Sequence, residues 1–351
     1  MNTKAKILVF DGHNDTILSH YMPGAKARPF FEKSDKGHFD IPRAIEGGFA
    51  GGFFAIFPPP EDHIDFKNMS TDEVLKIMGE PLSSSHSEKY GHLGIKTLHD
   101  LAKNSEGKFV IVTSVNDIKS AFEQKTVAAV IHFEGAEPIA EDLSNLEEYY
   151  QNGLRSVGLV WSRPNGFGCG VPFEFPSSPD IGPGLTSAGK ELIRVCNQKG
   201  ILIDLSHLNE KGFWDVEKIS DGPLVATHSC VHAICPTPRN LTDKQLDAIG
   251  NSQGLMGLNF GVPFIRSDGK RDRKTPISKM VEHIRYVADR IGVEHIALGS
   301  DFDGTQISSE LKDVAGLPKL LSVLSQNGFD TDAINKIAHE NWIRVLGRTW
   351  K

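Results

Sequence analysis

Residues 7–15 read Ile-Leu-Val-Phe-Asp-Gly-His-Asn-Asp, a short apolar run followed directly by polar side chains. The same order recurs along the chain: an apolar run, a polar or glycine-rich turn, then a stretch with helical spacing. Runs that are apolar throughout, rather than alternating, are typical of strands buried on both faces of a parallel sheet. The eight runs are Ile7–Phe10, Phe53–Phe57, Val127–Phe133, Ser156–Val160, Ile201–Leu205, Leu224–Ala226, Leu255–Leu258 and His295–Leu298.

Helical spacing separates these runs and decides between two α/β architectures. The clearest helical stretches are Thr186–Lys199, Thr242–Asn251 and Ile277–Ile291. Eight β/α units spread over about 300 residues favour a (β/α)8 TIM barrel over a doubly wound sheet. The sequence therefore predicts a parallel barrel.

Two further segments complete the predicted organisation. Phe109–Thr113 is a ninth strand candidate, which we place outside the main sheet. Pro58–Glu106 is rich in Pro, Ser, His and Lys and is predicted to be an insertion with its own helices. No composition shift marks a second domain, so we predict a single barrel domain over residues 1–351.

Composition excludes several classes of function. The 38 Lys and Arg against 45 Asp and Glu give a net charge of −7, which argues against nucleic acid or an anionic membrane as a partner. Met1–Phe10 contains no signal-peptide pattern, and no stretch approaches the length of a membrane span. Four cysteines in 351 residues do not form a disulfide framework. The expected location is the cytoplasm.

In a barrel of this kind the active site is built from side chains that follow the carboxyl ends of the strands. Five predicted strand ends carry side chains that can bind metal ions. These residues are His13, Asp15, Glu134, His207, His228 and Asp301. Each alone has an ordinary structural explanation, because a single His after a strand is more often a hydrogen-bonded structural residue than a ligand. The prediction depends on all of them occurring at strand ends.

Three imidazoles and several carboxylates suit two divalent ions that share one bridging carboxylate. Nitrogen and oxygen ligands without thiolate favour zinc, with manganese, cobalt or iron as alternatives. Such a pair of ions activates water and polarises a carbonyl or phosphoryl oxygen. The sequence therefore predicts a metal-dependent hydrolase.

Six motifs resemble, in order, those of the membrane (renal) dipeptidase family of zinc peptidases. The likeness runs from Asp11 to Leu346. The motifs are Asp11-Gly-His13-Asn-Asp15, Phe133-Glu134-Gly135, Asp204-Leu-Ser-His207, Ala226-Thr-His228-Ser, Pro238-Arg239-Asn240 and Gly299-Ser-Asp301-Phe-Asp303-Gly304.

The resemblance implies a distorted (β/α)8 barrel of the amidohydrolase type that cleaves free dipeptides, often tolerating a D-residue at the C-terminal position. It implies that His13 and Asp15 bind one zinc, that Glu134 bridges, and that His207 and His228 complete the second site. Arg239 then binds the substrate carboxylate, with Asn240 beside it. Asp301 takes a proton from a hydroxide-forming water between the zincs and passes it to the leaving amine.

One residue departs from the family pattern. The family commonly has a histidine after the fourth strand that stabilises the oxyanion, and Trp161 occupies that position here. Trp donates one N–H without a positive charge, so we expect Trp161 to contact substrate and Arg163 to supply the charge. Two alternatives stay open: an enzyme acting on another small amide or lactone, and a non-catalytic relative. Members of the family often form dimers, so the resemblance allows a homodimer.

Overall fold

Eight parallel strands form the barrel in this computed structural model, which describes residues 6–22, 24–61 and 69–351. Around the barrel they neighbour one another in the order in which they occur along the chain. Every neighbouring pair is parallel. The strands are β1 (Val9–Asn14), β2 (Phe49–Ile56), β4 (Val127–Phe133), β5 (Leu154–Gly158), β6 (Leu202–Asp204), β7 (Val225–Ser229), β8 (Leu255–Leu258) and β9 (Ile296–Leu298).

The ends of β1 and β9 are joined by backbone hydrogen bonds. The Asp301 amide donates to the His13 carbonyl at 2.9 Å, and the Asp15 amide donates to the Phe302 carbonyl at 2.8 Å. Asp11 strengthens this closure, because its carboxylate accepts hydrogen bonds from the amide and hydroxyl of Ser300, both at 2.7 Å. The predicted (β/α)8 barrel is confirmed.

A ninth strand, β3 (Phe109–Ile111), lies off the barrel path but is not separate from the sheet. It pairs in parallel with the first residues of β4, from Phe109 opposite Val127 to Ile111 opposite Ala129. Placing Phe109–Thr113 outside the main sheet was therefore wrong. Strand β5 pairs only with the second half of β4, from Ile131 onward, and this leaves the first half available to β3.

Helices surround the barrel, and two of the predicted ones begin at capping side chains. Thr186 accepts a hydrogen bond from the Gly189 amide and Thr242 forms a capping box, so the two helices start one residue after the predicted positions. The helices are α1 (Leu18–Tyr21), α2 (Ile41–Gly47), α3 (Thr71–Met78), α4 (Ser84–Asn104), α5 (Val115–Gln124), α6 (Leu146–Gln151), α7 (Ser187–Lys199), α8 (Glu210–Ile219), α9 (Asp243–Asn251), α10 (Val262–Ile265), α11 (Ser278–Ile291), α12 (Leu317–Gln326), α13 (Thr331–Asn335) and α14 (Asn341–Thr349). Helices α3 and α4 fall within the predicted insertion.

A buried apolar cluster fills the barrel interior. It takes residues such as Phe10, Phe53 and Val130 from the strands and Trp342 from α14. The Trp342 side chain is fully buried, lies 5.0 Å from the Phe53 ring and donates from Nε1 to the Leu298 carbonyl at 2.9 Å. A Cβ on Gly12 would meet the Trp342 ring at 2.4 Å, so only glycine fits there.

No helix in the described ranges is long and apolar enough to cross a membrane.

Candidate metal centre and active site

Five ligand candidates from four barrel strands converge on one point. Two groups of three ligand atoms lie within 4.8 Å of one another: His13, Asp15 and Glu134 form one, and Glu134, His207 and His228 form the other. Glu134 Oε1 lies 3.6 Å from His13 Nε2, 3.1 Å from His207 Nε2 and 3.5 Å from His228 Nε2. One carboxylate is therefore shared by two triads.

The first triad contains buried polar atoms that have no hydrogen-bond partner among the described residues. They are both ring nitrogens of His13 and Oδ1 of Asp15, which are 0% and 3% exposed as residues. Such atoms are rare in native proteins because each costs the loss of its hydration. A divalent cation would satisfy one ring nitrogen of His13 and Oδ1 of Asp15, and three N/O ligands per ion suit zinc with an open position. The residues thus fit a pair of metal ions.

The electrostatics of the metal-free site point the same way. Burial alone would lower the pKa of His13, but the carboxylates of Glu134 and Asp15 raise it to about 10. Burial, reinforced by Asp15, raises the pKa of Glu134 well above its usual value. A cluster that accumulates negative charge out of contact with water is stabilised by bound cations.

Hydrogen bonds behind the second triad fix the direction of its two imidazoles. The Thr227 hydroxyl donates to Asp204 Oδ2 at 2.6 Å and lies 2.9 Å from His228 Nδ1, so it accepts the Nδ1 proton and leaves Nε2 free to bind metal. His207 Nδ1 lies 2.7 Å from the Ser162 hydroxyl, which would accept the Nδ1 proton when Nε2 binds metal. Asp204 also accepts from the amides of Thr227 and Ser206.

Asp204 forms a third group of ligand atoms with His13 and His228. Its oxygens are already used by three hydrogen bonds, and its Oδ2 is 4.0 Å from His228 Nδ1, the nitrogen that faces Thr227. Asp204 therefore supports a ligand and does not itself face the metal centre.

Asp301 faces the same space from the segment after β9. Its Oδ2 accepts a hydrogen bond from Asn259 Nδ2 at 2.8 Å. Its backbone has a φ of +58°, a conformation that residues other than glycine rarely adopt. Burial and the neighbouring Asp15 raise the pKa of Asp301 to about 7. A carboxyl group with this pKa can both accept and donate a proton near neutral pH.

A cavity of about 430 Å³ opens over these residues. Asp15, Glu134, His207 and Asp301 line it together with Arg239. Arg239 is 4% exposed and donates from Nη2 to the His228 carbonyl at 3.2 Å, whereas its Nε and Nη1 have no hydrogen-bond partner among the described residues. A buried guanidinium with two unused donors is complementary to a carboxylate.

The remaining predicted residues lie in different positions. Trp161 lines the cavity beside His207, with ring centroids 5.7 Å apart. Arg163 binds elsewhere: its Nε donates to Glu137 at 2.7 Å and its Nη2 donates to the Pro58 carbonyl at 3.1 Å, so the idea that it supplies the oxyanion charge finds no support.

Asn240 is absent from the cavity lining, and its amide donates to the carbonyls of Cys235 and Phe264. Its proposed contact with substrate stays a prediction.

The supporting roles of several residues were not predicted from the sequence. Asn259 follows β8 directly, so the strand-end rule applied to that strand would have found it. Asp204 is a charged residue inside an apolar run, which is itself a signal of a buried polar role. Ser162 carries no comparable signal, because serine in a loop is ordinary.

Comparisons with known proteins agree with this geometry. The family model described as membrane dipeptidase, peptidase family M19, matches residues 2–350. The crystal structure of a metallo peptidase from Rhodobacter sphaeroides, liganded with a phosphinate mimic of the dipeptide L-Ala-D-Ala, is similar with a TM-score of 0.92 and 41% identity, covering 98% of this chain and 99% of that chain. An uncharacterised protein in the pqqA 5′ region of Klebsiella pneumoniae is 47% identical over 72% of this chain and 94% of its own length. Dipeptidase tcpJ of Claviceps purpurea is 27% identical over 96% of this chain and 76% of its own length.

Proposed function

The chain belongs to the membrane dipeptidase family of metallopeptidases, and from this premise we propose that it is a two-zinc enzyme that hydrolyses free dipeptides, including those with a D-residue at the C-terminal position. The observation that carries the proposal is one cavity containing both the two triads that share Glu134 and the unpaired donors of Arg239. The acceptance of D-residues is supported by the relative that holds a mimic of L-Ala-D-Ala.

The five ligand residues would hold the two ions, with Glu134 common to both. When bound, such ions supply a hydroxide from water and polarise the scissile carbonyl. Thr227 and Ser162 keep the second pair of imidazoles in the tautomer that presents Nε2 to the centre. We also propose that the barrel and its helical insertion form a single domain.

Arg239 sets the length of the substrate. Its Nε and Nη1 have no partner among the described residues and are available to donate to a terminal carboxylate, and burial of the guanidinium strengthens that pairing by excluding water. Arg239 and Glu134 line the same cavity, and a free dipeptide carries its carboxylate one residue beyond its peptide bond, so it can engage both at once. This arrangement favours dipeptides over longer peptides.

Asp301 transfers the proton. Its carboxylate receives a proton as water attacks and returns that proton to the leaving amine. Asn259 holds one of its oxygens in place, so the second oxygen remains available for this transfer. A pKa near 7 makes both directions of transfer accessible.

A substrate panel with the zinc-loaded protein tests the proposal. We expect turnover of L-L and L-D dipeptides, and none of N-acyl amino acids or lactones. Elemental analysis should find close to two zinc ions per chain. Preferential cleavage of an N-acyl amino acid or a lactone would assign the protein to another small-amide or lactone hydrolase, an alternative that Trp161 motivates. A protein that neither retains nor rebinds a divalent metal would refute the hydrolase itself.

A further inference from the structure

Four aromatic rings line the cavity as a connected series, which we call the aromatic wall: Phe57, Trp161, Phe173 and Phe264. Their centroids are 5.1 Å apart from Phe57 to Trp161, 5.3 Å from Trp161 to Phe173 and 6.1 Å from Phe173 to Phe264. These separations fall in the range of ring contacts. The rings therefore form a continuous apolar surface.

The aromatic wall passes the metal centre and ends at the carboxylate anchor. Trp161 and Phe173 lie 5.7 Å and 6.2 Å from the His207 ring. At the far end the Arg239 guanidinium carbon is 5.6 Å from the Phe264 centroid. Trp161 thus extends an apolar surface along the reaction site.

The position of Phe264 beside Arg239 has a direct consequence for the substrate. In a dipeptide the C-terminal side chain is attached to the same Cα as the carboxylate, so binding that carboxylate at Arg239 brings the side chain within reach of Phe264 and Phe173. On the basis of the proposed dipeptidase function, we infer that the aromatic wall is the subsite for this side chain and that the enzyme selects dipeptides with a large apolar C-terminal residue.

The aromatic wall is supported by a cation whose charge is already balanced. The Arg163 guanidinium carbon lies 4.7 Å from the Phe57 centroid and 5.5 Å from that of Trp161. Its charge is paired with Glu137 at 2.7 Å, and both residues are buried. Arg163 therefore holds the rings in place without offering charge to the cavity. A carboxylate side chain placed against the wall would lose hydration and gain no partner from Arg163.

The size of the cavity also suits a large side chain. At about 430 Å³ it falls within the range of small-molecule sites, about 300–1,000 Å³. An alanine side chain would leave most of the ring surface uncovered, and the gain from burial rises with the apolar area removed from water. One methylene group more or less on a substrate side chain in an apolar pocket changes kcat/KM by about 10- to 200-fold. We therefore expect at least a tenfold preference for Leu or Phe over Ala.

The test is a series of L-Ala-Xaa dipeptides, with Xaa as Ala, Leu, Phe and Asp in both configurations, hydrolysed by the zinc-loaded protein. The expected order of kcat/KM in the accepted configuration is Phe and Leu above Ala, with Asp lowest. Phe173→Ala, which truncates a half-buried ring of the wall, should reduce the Leu-to-Ala ratio several-fold at unchanged metal content. Phe175→Ala is the matched control, because Phe175 is 41% exposed and does not line the cavity.

Each outcome decides a different claim. Equal kcat/KM across the series, or an unchanged Leu-to-Ala ratio in Phe173→Ala, would overturn the subsite while leaving the dipeptidase intact. Arg271 also lines the cavity, so a preference for Asp would assign the subsite to that cation and likewise overturn the inference. Failure to cleave any member of the series, by protein with full zinc content, would refute the proposed function and the subsite with it.

Discussion

Replacing Ser162 by alanine should weaken one of the two metal sites and spare the other. Ser162 is 7% exposed, and its hydroxyl is 2.7 Å from Nδ1 of His207, which is 5% exposed. Alanine would leave the Nδ1 proton of His207 buried without an acceptor. A buried donor in that state costs about 1–3 kcal/mol, and since each 1.4 kcal/mol is tenfold, zinc affinity should fall between about 5-fold and 150-fold. Losses of about 10- to 100-fold are usual when the outer partner of a histidine ligand is removed.

The assay is titration of the metal-free protein with zinc in competition with a chromophoric chelator, which resolves two binding steps. We expect the shift in one step only, because His13 and Asp15 make no contact with Ser162 in the described network. Ser162→Thr retains the hydroxyl and should recover most of the affinity. Ser87→Ala is the control, since it also removes a buried serine hydroxyl, but one whose bond goes to the Ser83 carbonyl. Two zinc sites of wild-type affinity in Ser162→Ala would show that the hydrogen bond does not orient His207.

Three further predictions concern the anchor, the proton carrier and acid stability. Arg239→Ala loses two charge-assisted hydrogen bonds of about 1.5–3 kcal/mol each, so KM for free dipeptides should rise at least 100-fold; an equal rise for C-terminally amidated dipeptides would contradict the anchor role. Asp301→Asn should lower kcat by about 10²- to 10⁴-fold with zinc content retained, and near-normal kcat would remove Asp301 from proton transfer. Burial lowers the pKa of His283 to about 4, and the neutral ring accepts from the Val231 amide at 3.0 Å. In the unfolded chain the same ring has its ordinary pKa of 6.5 and binds a proton below that pH. The contribution of neutral His283 to stability is therefore fully present above pH 6.5, and the free energy of unfolding should fall by about 3 kcal/mol as the pH drops to 4. Thermal unfolding of His283→Gln should lack that part of the pH dependence, and an identical pH profile would count against it.

The fold was predictable wherever hydrophobicity alone defines a strand. Strands β4 and β8 have the predicted bounds because every residue in them is buried and most are apolar. Strands β1 and β7 extend three or four residues beyond their apolar runs, since Asp11–Asn14 and Thr227–Ser229 stay in extended backbone while their polar side chains serve the site. An apolar pattern ends at the first polar residue. It therefore places functional residues after the strand, although they are the last residues of the strand itself.

The candidate site was predictable to the extent that strand ends meet at one rim. This rule brought together residues as distant as His13 and Asp301, and the shared family motifs supplied Arg239. The strand-end rule does not predict contacts between loops. The bond from Ser162 to His207, and the pairing of Arg163 with Glu137, depend on how the loop after β5 packs, and no local spacing encodes that. His207 itself adopts a φ of +67°, which composition and periodicity do not indicate.

The Trp342 ring has a consequence for how the protein is made. It packs against Gly12 and bonds to Leu298, so the last helix of the described chain supports the segment that carries the first two ligands. During synthesis the ribosome releases that first strand long before Trp342 emerges. The support under the ligands is therefore incomplete until Trp342 has been made. Chains truncated before Trp342 should retain less metal than the full chain.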